Sequence, residues 1–277
     1  MRVIALLASY NERRFIRPCL EHLHDHDVEA YLIDNCSDDE TVTIAERHLG
    51  RGLIGIEQFP RDGGYNWVGL LRRKEELAGE LEADWFIHLD PDELRLPPPG
   101  EGTLADALAM VDREGFNAVN FFEFTFMPTR EEPHHDHPDF ERTLRTYYPF
   151  APTFPDRPDA WKSHQLKAWK SMPDVELAPS GGHRVSFPGL HAYPQSFPMK
   201  HYLFLSIPHA VEKYVQREYD PDEIEAGRHG WRAHLTPSDI RLPSESELRV
   251  TQSDNDLDPR KPRTQHYIDD GQSRRPT

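Results

Sequence analysis

Short apolar runs alternate with longer amphipathic stretches over the first hundred residues. The runs from Val3 to Ala8 and from Trp85 to Leu89 have the length and continuity of strands covered on both faces, as in a parallel sheet. Shorter apolar runs lie at residues 31–33 and 53–59, and apolar residues recur at helical spacing between the runs. This order predicts an α/β fold: a doubly wound mixed, mainly parallel sheet flanked by helices.

The next segment continues with a helix and a long strand. Thr103 begins a capping-box pattern that predicts a helix ending near Arg113. Residues 116–127 alternate as a strand does, and Glu123 falls on the same face as Val119, Phe121 and Thr125. Glu123 therefore either faces a cleft or is exposed to solvent, and the pattern favours neither.

The remaining residues are less regular. Residues 128–187 are rich in proline and aromatic residues and predict irregular structure. A helix is predicted from about Ile207 to Tyr219, with polar residues on its outward face, namely His209, Lys213 and Arg217.

The end of the chain differs in composition. Only seven of the 42 residues from Thr236 to Thr277 are hydrophobic, so this tail cannot build a core of its own. It either wraps the domain or is disordered. We therefore expect one domain over residues 1–235, with halves at 1–100 and 101–235, followed by a polar tail over residues 236–277.

Composition and charge narrow the class of protein. The formal net charge of −16 argues against a nucleic-acid partner, because phosphate backbones are bound by clustered Lys and Arg. Two cysteines, Cys19 and Cys36, provide no disulfide framework, which favours a reducing compartment and a cytoplasmic location. No apolar run approaches the length of about 20 residues that a membrane helix needs, so no transmembrane segment is expected.

Polar residues gather at the carboxyl ends of three predicted strands. They occupy residues 9–12, 34–39 and 90–93, and the last cluster holds three carboxylates, Asp90, Asp92 and Glu93. Ligands of open α/β sheets bind beyond these strand ends, so the clusters should share one crevice. Clustered carboxylates repel each other unless a cation compensates them, which favours a divalent metal over a solvated acidic turn.

Taken together, these residues resemble the family 2-like glycosyltransferases of the GT-A fold. The matching pieces are Ala8 to Glu12 after the first strand, Ile33 to Thr41 after the second, and the run from Asp84 to Glu93, which contains a DxD pattern. The resemblance is looser at Gly182-His183-Arg184 and Lys200-His201-Tyr202, which look like a bacterial branch of this superfamily.

The resemblance implies transfer of a sugar from a nucleoside-diphosphate sugar, UDP- or GDP-linked, to an acceptor hydroxyl, with Mn²⁺ or Mg²⁺ as cofactor. Asp90 and Asp92 would form the metal and diphosphate clamp, and His201 would complete the coordination. Residues 101–235 would then form the acceptor side. The nucleotide-sugar site would comprise the following residues: Ser9, Tyr10, Asn11, Glu12, Asp34, Asn35, Ser37, Arg73 and Asp90.

An inverting transfer needs a base within reach of the acceptor hydroxyl. In many family 2 enzymes an aspartate well beyond the DxD pattern has this role, and at the corresponding distance this sequence has His183. His183 is therefore one candidate base, and Glu123 is the other.

The alternatives to a glycosyltransferase are a nucleotidyltransferase or a metal-dependent phosphohydrolase on a similar sheet, or a nucleotide-sugar-binding protein without turnover. The first of these is disfavoured because residues 9–14 contain no glycine-rich phosphate loop.

Overall fold

The computed structural model describes residues 1–61, 64–153, 164–216 and 235–268. The strands are β1 Val3–Ser9, β2 Glu29–Asp34, β3 Leu53–Gln58, β4 Trp85–Leu89, β5 Glu93–Arg95, β6 Ala118–Phe126, β7 Thr146–Phe150, β8 Leu166–Lys170, β9 Phe197–Tyr202 and β10 Arg249–Val250. The helices are α1 Ile16–Asp25, α2 Thr41–Glu46, α3 Trp67–Glu80, α4 Leu104–Arg113, α5 Phe140–Thr143 and α6 Ile207–Ala210.

The strands form one mixed sheet in the order β10-β7-β6-β8-β4-β1-β2-β3. Strands β4, β1, β2 and β3 are parallel, whereas β8 pairs antiparallel with both β4 and β6. Strand β9 lies parallel to β6 and antiparallel to β5. The predicted α/β class, with a mixed sheet and flanking helices, is confirmed.

The central strand β1 is buried on both faces, as its continuous apolar run predicts. Val3, Ala5 and Leu7 belong to the core shared with α1 and α4. Ile4 and Leu6 belong to the core on the opposite face, which α3 covers. Burial of both faces explains why the sequence of β1 does not alternate. The strand therefore fixes the position of the polar residues that follow it.

The structure corrects the interpretation of residues 128–187 as irregular. That region contains β7 and β8, which lie inside the sheet with a neighbouring strand on each side, and residues 197–202 form β9, a strand that was not predicted. Each of these strands is only five or six residues long. Their pairing partner β6 lies far away in the sequence, so no hairpin signal marks them.

The predicted helix after residue 207 also differs. Helix α6 ends at Ala210 and continues as a π-helical turn over Val211–Val215, in which Gln216 donates its N–H to Val211 O. Lys213, predicted to point outward, points inward, and its side chain is only 10% exposed. His209 and Lys213 are four residues apart, so they share one helical face, and that face is the buried one. His209 is only 4% exposed, which also contradicts the predicted outward face, and Arg217 lies outside the described residues.

The described part of the C-terminal segment packs against the domain. Leu235, Ile240, Leu242 and Ile268 join a core with residues of β7 and α6, and β10 pairs antiparallel with β7. No helix in the described ranges is long and apolar enough to span a membrane.

Candidate functional site

A cavity of about 320 Å³ lies beyond the carboxyl ends of β1 and β4, and a second cavity of about 310 Å³ adjoins it. Tyr10, Glu12 and Lys213 line both cavities, so the two spaces share a wall. The larger cavity brings together residues that are far apart in sequence, among them Ser9, Asp90, Asp92, Glu123, His183 and His201.

The loops after β1 and β2 hold each other in place. Asp34 is buried and accepts hydrogen bonds from the Ser9 hydroxyl at 3.2 Å, and from the N–H and hydroxyl of Ser37 at 2.9 and 2.6 Å. Ser37 Oγ in turn accepts a hydrogen bond from the N–H of Asn11, which adopts a left-handed conformation with φ 57°. Asp34 and Ser37 therefore shape the loop that presents residues 9–12 to the cavities.

Tyr10 lies at the junction of the two cavities. The guanidinium of Arg61 lies over its ring, 3.7 Å from the centroid. Arg61 also donates to the side-chain oxygen of Asn35 at 3.1 Å, and Asn35 is fully buried. Asn35 therefore supports the stacked pair from below.

The two aspartates of the DxD pattern have different surroundings. Burial and the neighbouring Glu93 carboxylate raise the pKa of Asp90. Burial would also raise the pKa of Asp92, but Lys213 and His201 hold that pKa well below its usual range. The Lys213 ammonium contacts Asp92 Oδ2 directly, and His201 Nε2 lies 3.5 Å from the same oxygen. Asp92 is therefore the more acidic member of the pair.

Glu123 faces the cleft rather than solvent, which resolves the alternatives left open by the strand pattern. It is 3% exposed, and its Oε1 accepts a hydrogen bond from His201 Nδ1 at 2.7 Å. Thr125 and Gln165 donate to the same carboxylate at 2.8 and 3.3 Å. Burial opposes the charged form of His201, yet Glu123 and Asp92 raise its pKa well above the usual range.

A buried ion cluster supports the DxD loop from beneath. Glu93 accepts from Arg95 at 2.6 Å and from Lys167 at 3.1 Å, and all three side chains are almost fully buried. Nearby, Lys74 Nζ lies 2.9 Å from His88 Nδ1, and burial lowers the pKa of Lys74 to about 8. Glu93 is therefore a structural acid that is already paired with two cations.

The donor chemistry around Asp92 fits a divalent metal ion. Asp92 supplies a carboxylate, and Nε2 of His201 faces it while Nδ1 is held by Glu123. Mn²⁺ accepts both oxygen and imidazole donors, and His201 would become a ligand on losing its Nε2 proton to the solvent. Within the described ranges no three His, Cys, Asp or Glu side chains form a group that could hold a metal. Ions such as Mg²⁺ are usually held by one or two carboxylates together with substrate phosphates and water. The residues therefore fit a metal whose coordination a diphosphate would complete.

His183 stands on the opposite wall of the larger cavity. Its ring stacks on His164, with centroids 4.5 Å apart. The preceding Gly182 has φ +79°, and a Cβ there would lie 2.9 Å from both His88 Nε2 and Leu71 Cδ2. Only glycine fits this close approach, so the turn that carries His183 is packed directly on β4 and α3.

The structure does not bring Arg73 to either cavity. Its guanidinium binds Glu57 at 2.7 Å and Glu80 at 2.8 Å on the outer side of α3. Glu76 and Glu80, three and seven residues further along α3, and Glu57 of β3 hold the guanidinium there, so Arg73 is a structural residue of the helix surface.

Several residues of the site were missed from the sequence. Lys74 falls between Leu70 and Leu77 on the buried face of α3, so its helical position was a usable signal. Lys213 had no such signal, because the apolar pattern of residues 207–219 placed it on the outward face. His266 reaches the cavity from the C-terminal segment, and only the folded chain brings it there.

With the site defined, the chain can be placed among known proteins. Residues 5–157, more than half of the chain, match the family described as Glycosyl transferase family 2. The chain belongs to this family. No curated protein is a significant sequence match.

Solved structures of glycosyltransferases are similar to this chain at low identity. Staphylococcus aureus TarS is 15% identical over 73% of this chain and 37% of its own, with a TM-score of 0.43. A mannosyltransferase from Pyrobaculum calidifontis, PcManGT, in complex with GDP-Man and Mn²⁺, is 15% identical over 85% of this chain and 70% of its own, with a TM-score of 0.42. The chain spans 37% to 61% of the length of the matched TarS structures.

Proposed function

We propose that this protein transfers a sugar from a nucleoside-diphosphate sugar to an acceptor hydroxyl, with inversion and with a divalent metal ion. The observation that carries the proposal is the meeting of Asp90, Asp92 and His201 in one cavity beyond β1 and β4. Ligands of open α/β sheets bind at such strand ends. Membership of glycosyl transferase family 2 supports the same reaction class.

In this proposal the UDP or GDP part of the donor lies where the two cavities join. Ser9, Tyr10, Asn11 and Glu12 line that region between them. Asp34, Asn35 and Ser37 contribute by fixing these loops, since Asp34 and Asn35 are almost fully buried. A stack such as Tyr10 on Arg61 offers a flat surface for a nucleobase.

Asp92 and His201 would hold Mn²⁺ or Mg²⁺, with Asp90 beside them. When bound, the metal neutralises charge that develops on the leaving diphosphate. Two basic side chains of this chain, Lys213 and His201, already lie beside Asp92 and would add positive charge near the diphosphate. Asp92 is the residue on which the clamp depends, because it is the DxD carboxylate that contacts both His201 and Lys213.

His183 is our proposed base. It would accept the proton of the acceptor hydroxyl as that oxygen attacks the sugar. Partial desolvation of the ring, together with the nearby His164 and Lys167, lowers the pKa of His183, which favours the neutral imidazole that a base needs. The residue itself is exposed, so an acceptor can reach it. Glu123 is the weaker candidate, because three side chains already donate hydrogen bonds to its carboxylate.

The donor site is tested by the melting temperature with UDP and GDP, each with and without Mn²⁺. A ligand that binds the native state raises the melting temperature. We expect a Mn²⁺-dependent rise of several degrees with one nucleotide, and its loss in Asp92→Asn. Asp112→Asn, which alters the half-exposed pair of Asp112 with Lys170, is the control and should respond as the wild type. A protein that no nucleotide stabilises, or an equal response of Asp92→Asn, would rule the donor site out.

A further inference from the structure

The Lys213 side chain lies at the centre of the donor region although no sequence pattern indicated it. Its ammonium contacts Asp92 Oδ2 and donates to the carbonyl of Leu203 at 3.2 Å. The side chain is 10% exposed and lines both cavities. It is thus a nearly buried cation at the boundary between the nucleoside region and the DxD loop.

Two carboxylates and two basic side chains meet at this point. Lys213 contacts Asp92 directly, and His201 lies 3.5 Å from Asp92 and 2.7 Å from Glu123. A metal that approaches Asp92 must therefore compete with an ammonium already bound to the same oxygen. The cluster can accept a doubly charged cation only if a new anion arrives with it or if Lys213 moves away from Asp92.

The backbone that carries Lys213 is firmly held, whereas its side chain is long. Arg14 binds both oxygens of Glu212 at 3.0 and 2.9 Å and both oxygens of Asp136 at 2.9 and 3.0 Å. These bonds tie the π turn to the start of α1 and fix the position of the Lys213 backbone. The four-carbon stem of a lysine can still move its ammonium between neighbouring acceptors.

We propose that Lys213 is a ligand of the donor diphosphate and that it exchanges between two anions. In the nucleotide-free protein it neutralises Asp92. When the donor binds, the ammonium moves to the phosphate oxygens, and Asp92 becomes available to the metal ion. No covalent bond changes in this exchange. The inference rests on the proposed function, because it requires a diphosphate between the two cavities.

The exchange predicts opposite effects of one substitution on two ligands. Lys213→Met keeps most of the side-chain volume and removes the charge. We expect it to weaken UDP or GDP binding in the presence of Mn²⁺ at least tenfold, and to tighten the binding of Mn²⁺ alone, because Asp92 loses its competing cation. Binding of uridine or guanosine, which lack phosphates, should not change, and Lys213→Arg should recover most of the nucleotide affinity.

Isothermal titration calorimetry measures all of these affinities without turnover. Lys200→Met is the matched control, since Lys200 is also a nearly buried lysine but pairs with Asp254 outside both cavities. It should bind nucleotide and Mn²⁺ as the wild type does. Wild-type nucleotide affinity in Lys213→Met would overturn the exchange while leaving the proposed function intact. A wild type that binds neither UDP nor GDP would instead refute the proposed function, and the exchange with it.

Discussion

The contact between Glu123 and His201 decides how the proposed metal site is built. Glu123 Oε1 accepts the His201 Nδ1 hydrogen bond at 2.7 Å, which leaves Nε2 directed towards Asp92. Burial alone would raise the pKa of Glu123, but His201 holds that pKa well below its usual range. A carboxylate that is ionised and fully hydrogen-bonded is a poor proton acceptor. Glu123 is therefore better suited to orient a histidine ligand than to activate a hydroxyl.

Glu123→Gln tests this orienting role. The glutamine keeps the shape of the side chain but loses the charge that fixes the imidazole. We expect the affinity for Mn²⁺ in the presence of saturating UDP or GDP to fall by about tenfold to a hundredfold, the range seen for such supporting carboxylates. Titration calorimetry with Mn²⁺ measures the effect.

The control for this prediction changes a different partner of the same carboxylate. Thr125→Val removes the hydroxyl that donates to Glu123 at 2.8 Å but keeps the charge and the contact with His201. It should leave Mn²⁺ affinity close to that of the wild type. Equal Mn²⁺ affinities for Glu123→Gln and the wild type would show that His201 does not depend on Glu123.

At the scale of single elements, the turn at residues 181–182 fixes one wall of the site. Gly182 lies against β4 and α3 so closely that no side chain fits there, and the indole N–H of Trp67 donates to the carbonyl of Gly181 at 3.0 Å. These contacts hold the turn, and with it His183, against the rigid part of the sheet. The position of the proposed base is therefore set by packing.

Gly182→Ala should cost more stability than Gly100→Ala, although both glycines have positive φ. At Gly100 nothing lies within 4 Å of an added Cβ, so the cost should be only the left-handed backbone penalty of about 1–2 kcal/mol. At Gly182 the Cβ would meet His88 and Leu71 at 2.9 Å, which adds about 1–3 kcal/mol of overpacking. Urea unfolding measures both free energies, and equal costs would contradict the packing argument.

Elements that are marked by a pattern within a short stretch of sequence could be predicted, whereas strands that depend on pairing with a distant strand could not. The strand–helix alternation up to β4 and the capping box at Thr103, whose hydroxyl accepts from Asp106 N–H at 3.2 Å, are local signals, and the structure confirms them. Strands β7, β8 and β9 owe their pairing to β6, far away in the sequence, and were missed. Asp92 was visible as part of a motif, whereas Lys213 was assigned to the outward face of its helix, and only its contact with Asp92 in the folded chain reveals its position.

At the scale of the whole molecule, the site combines parts from both ends of the chain. His266, from the C-terminal segment, stacks on Phe150 of β7 with centroids 3.8 Å apart and lies 3.9 Å from Glu123. Tyr148 of β7 contacts the Nδ1 of the same histidine at 2.8 Å. The parallel half of the sheet thus supplies the loops after β1 and β4 to the cavity, and β6, β7 and the C-terminal segment supply a further part of this lining. Residues from both ends of the described chain must therefore come together to form this cavity.

Stability of the whole molecule should decrease in mild acid, in part because of His209. This residue is 4% exposed, and its Nδ1 accepts the N–H of Leu205 at 3.1 Å, so the ring is neutral. Burial, reinforced by the charges of Lys213 and Arg14, lowers the pKa of His209 to about 2. Below about pH 6.5 the unfolded chain binds a proton at this residue that the native state does not bind. Stability is therefore lost as the pH falls from about 6.5 towards 2.

His209→Asn isolates this contribution, because the asparagine oxygen can still accept the Leu205 N–H but does not titrate. Between pH 7 and pH 5 the wild type should lose about 2 kcal/mol more of its unfolding free energy than the variant does. Urea unfolding at the two pH values gives both differences, and any cost of the smaller side chain cancels in the comparison. The same change at the exposed His24 should leave the wild-type pH dependence intact. Equal losses for His209→Asn and the wild type would mean that His209 takes up a proton in the native state, contrary to its burial beside two cations.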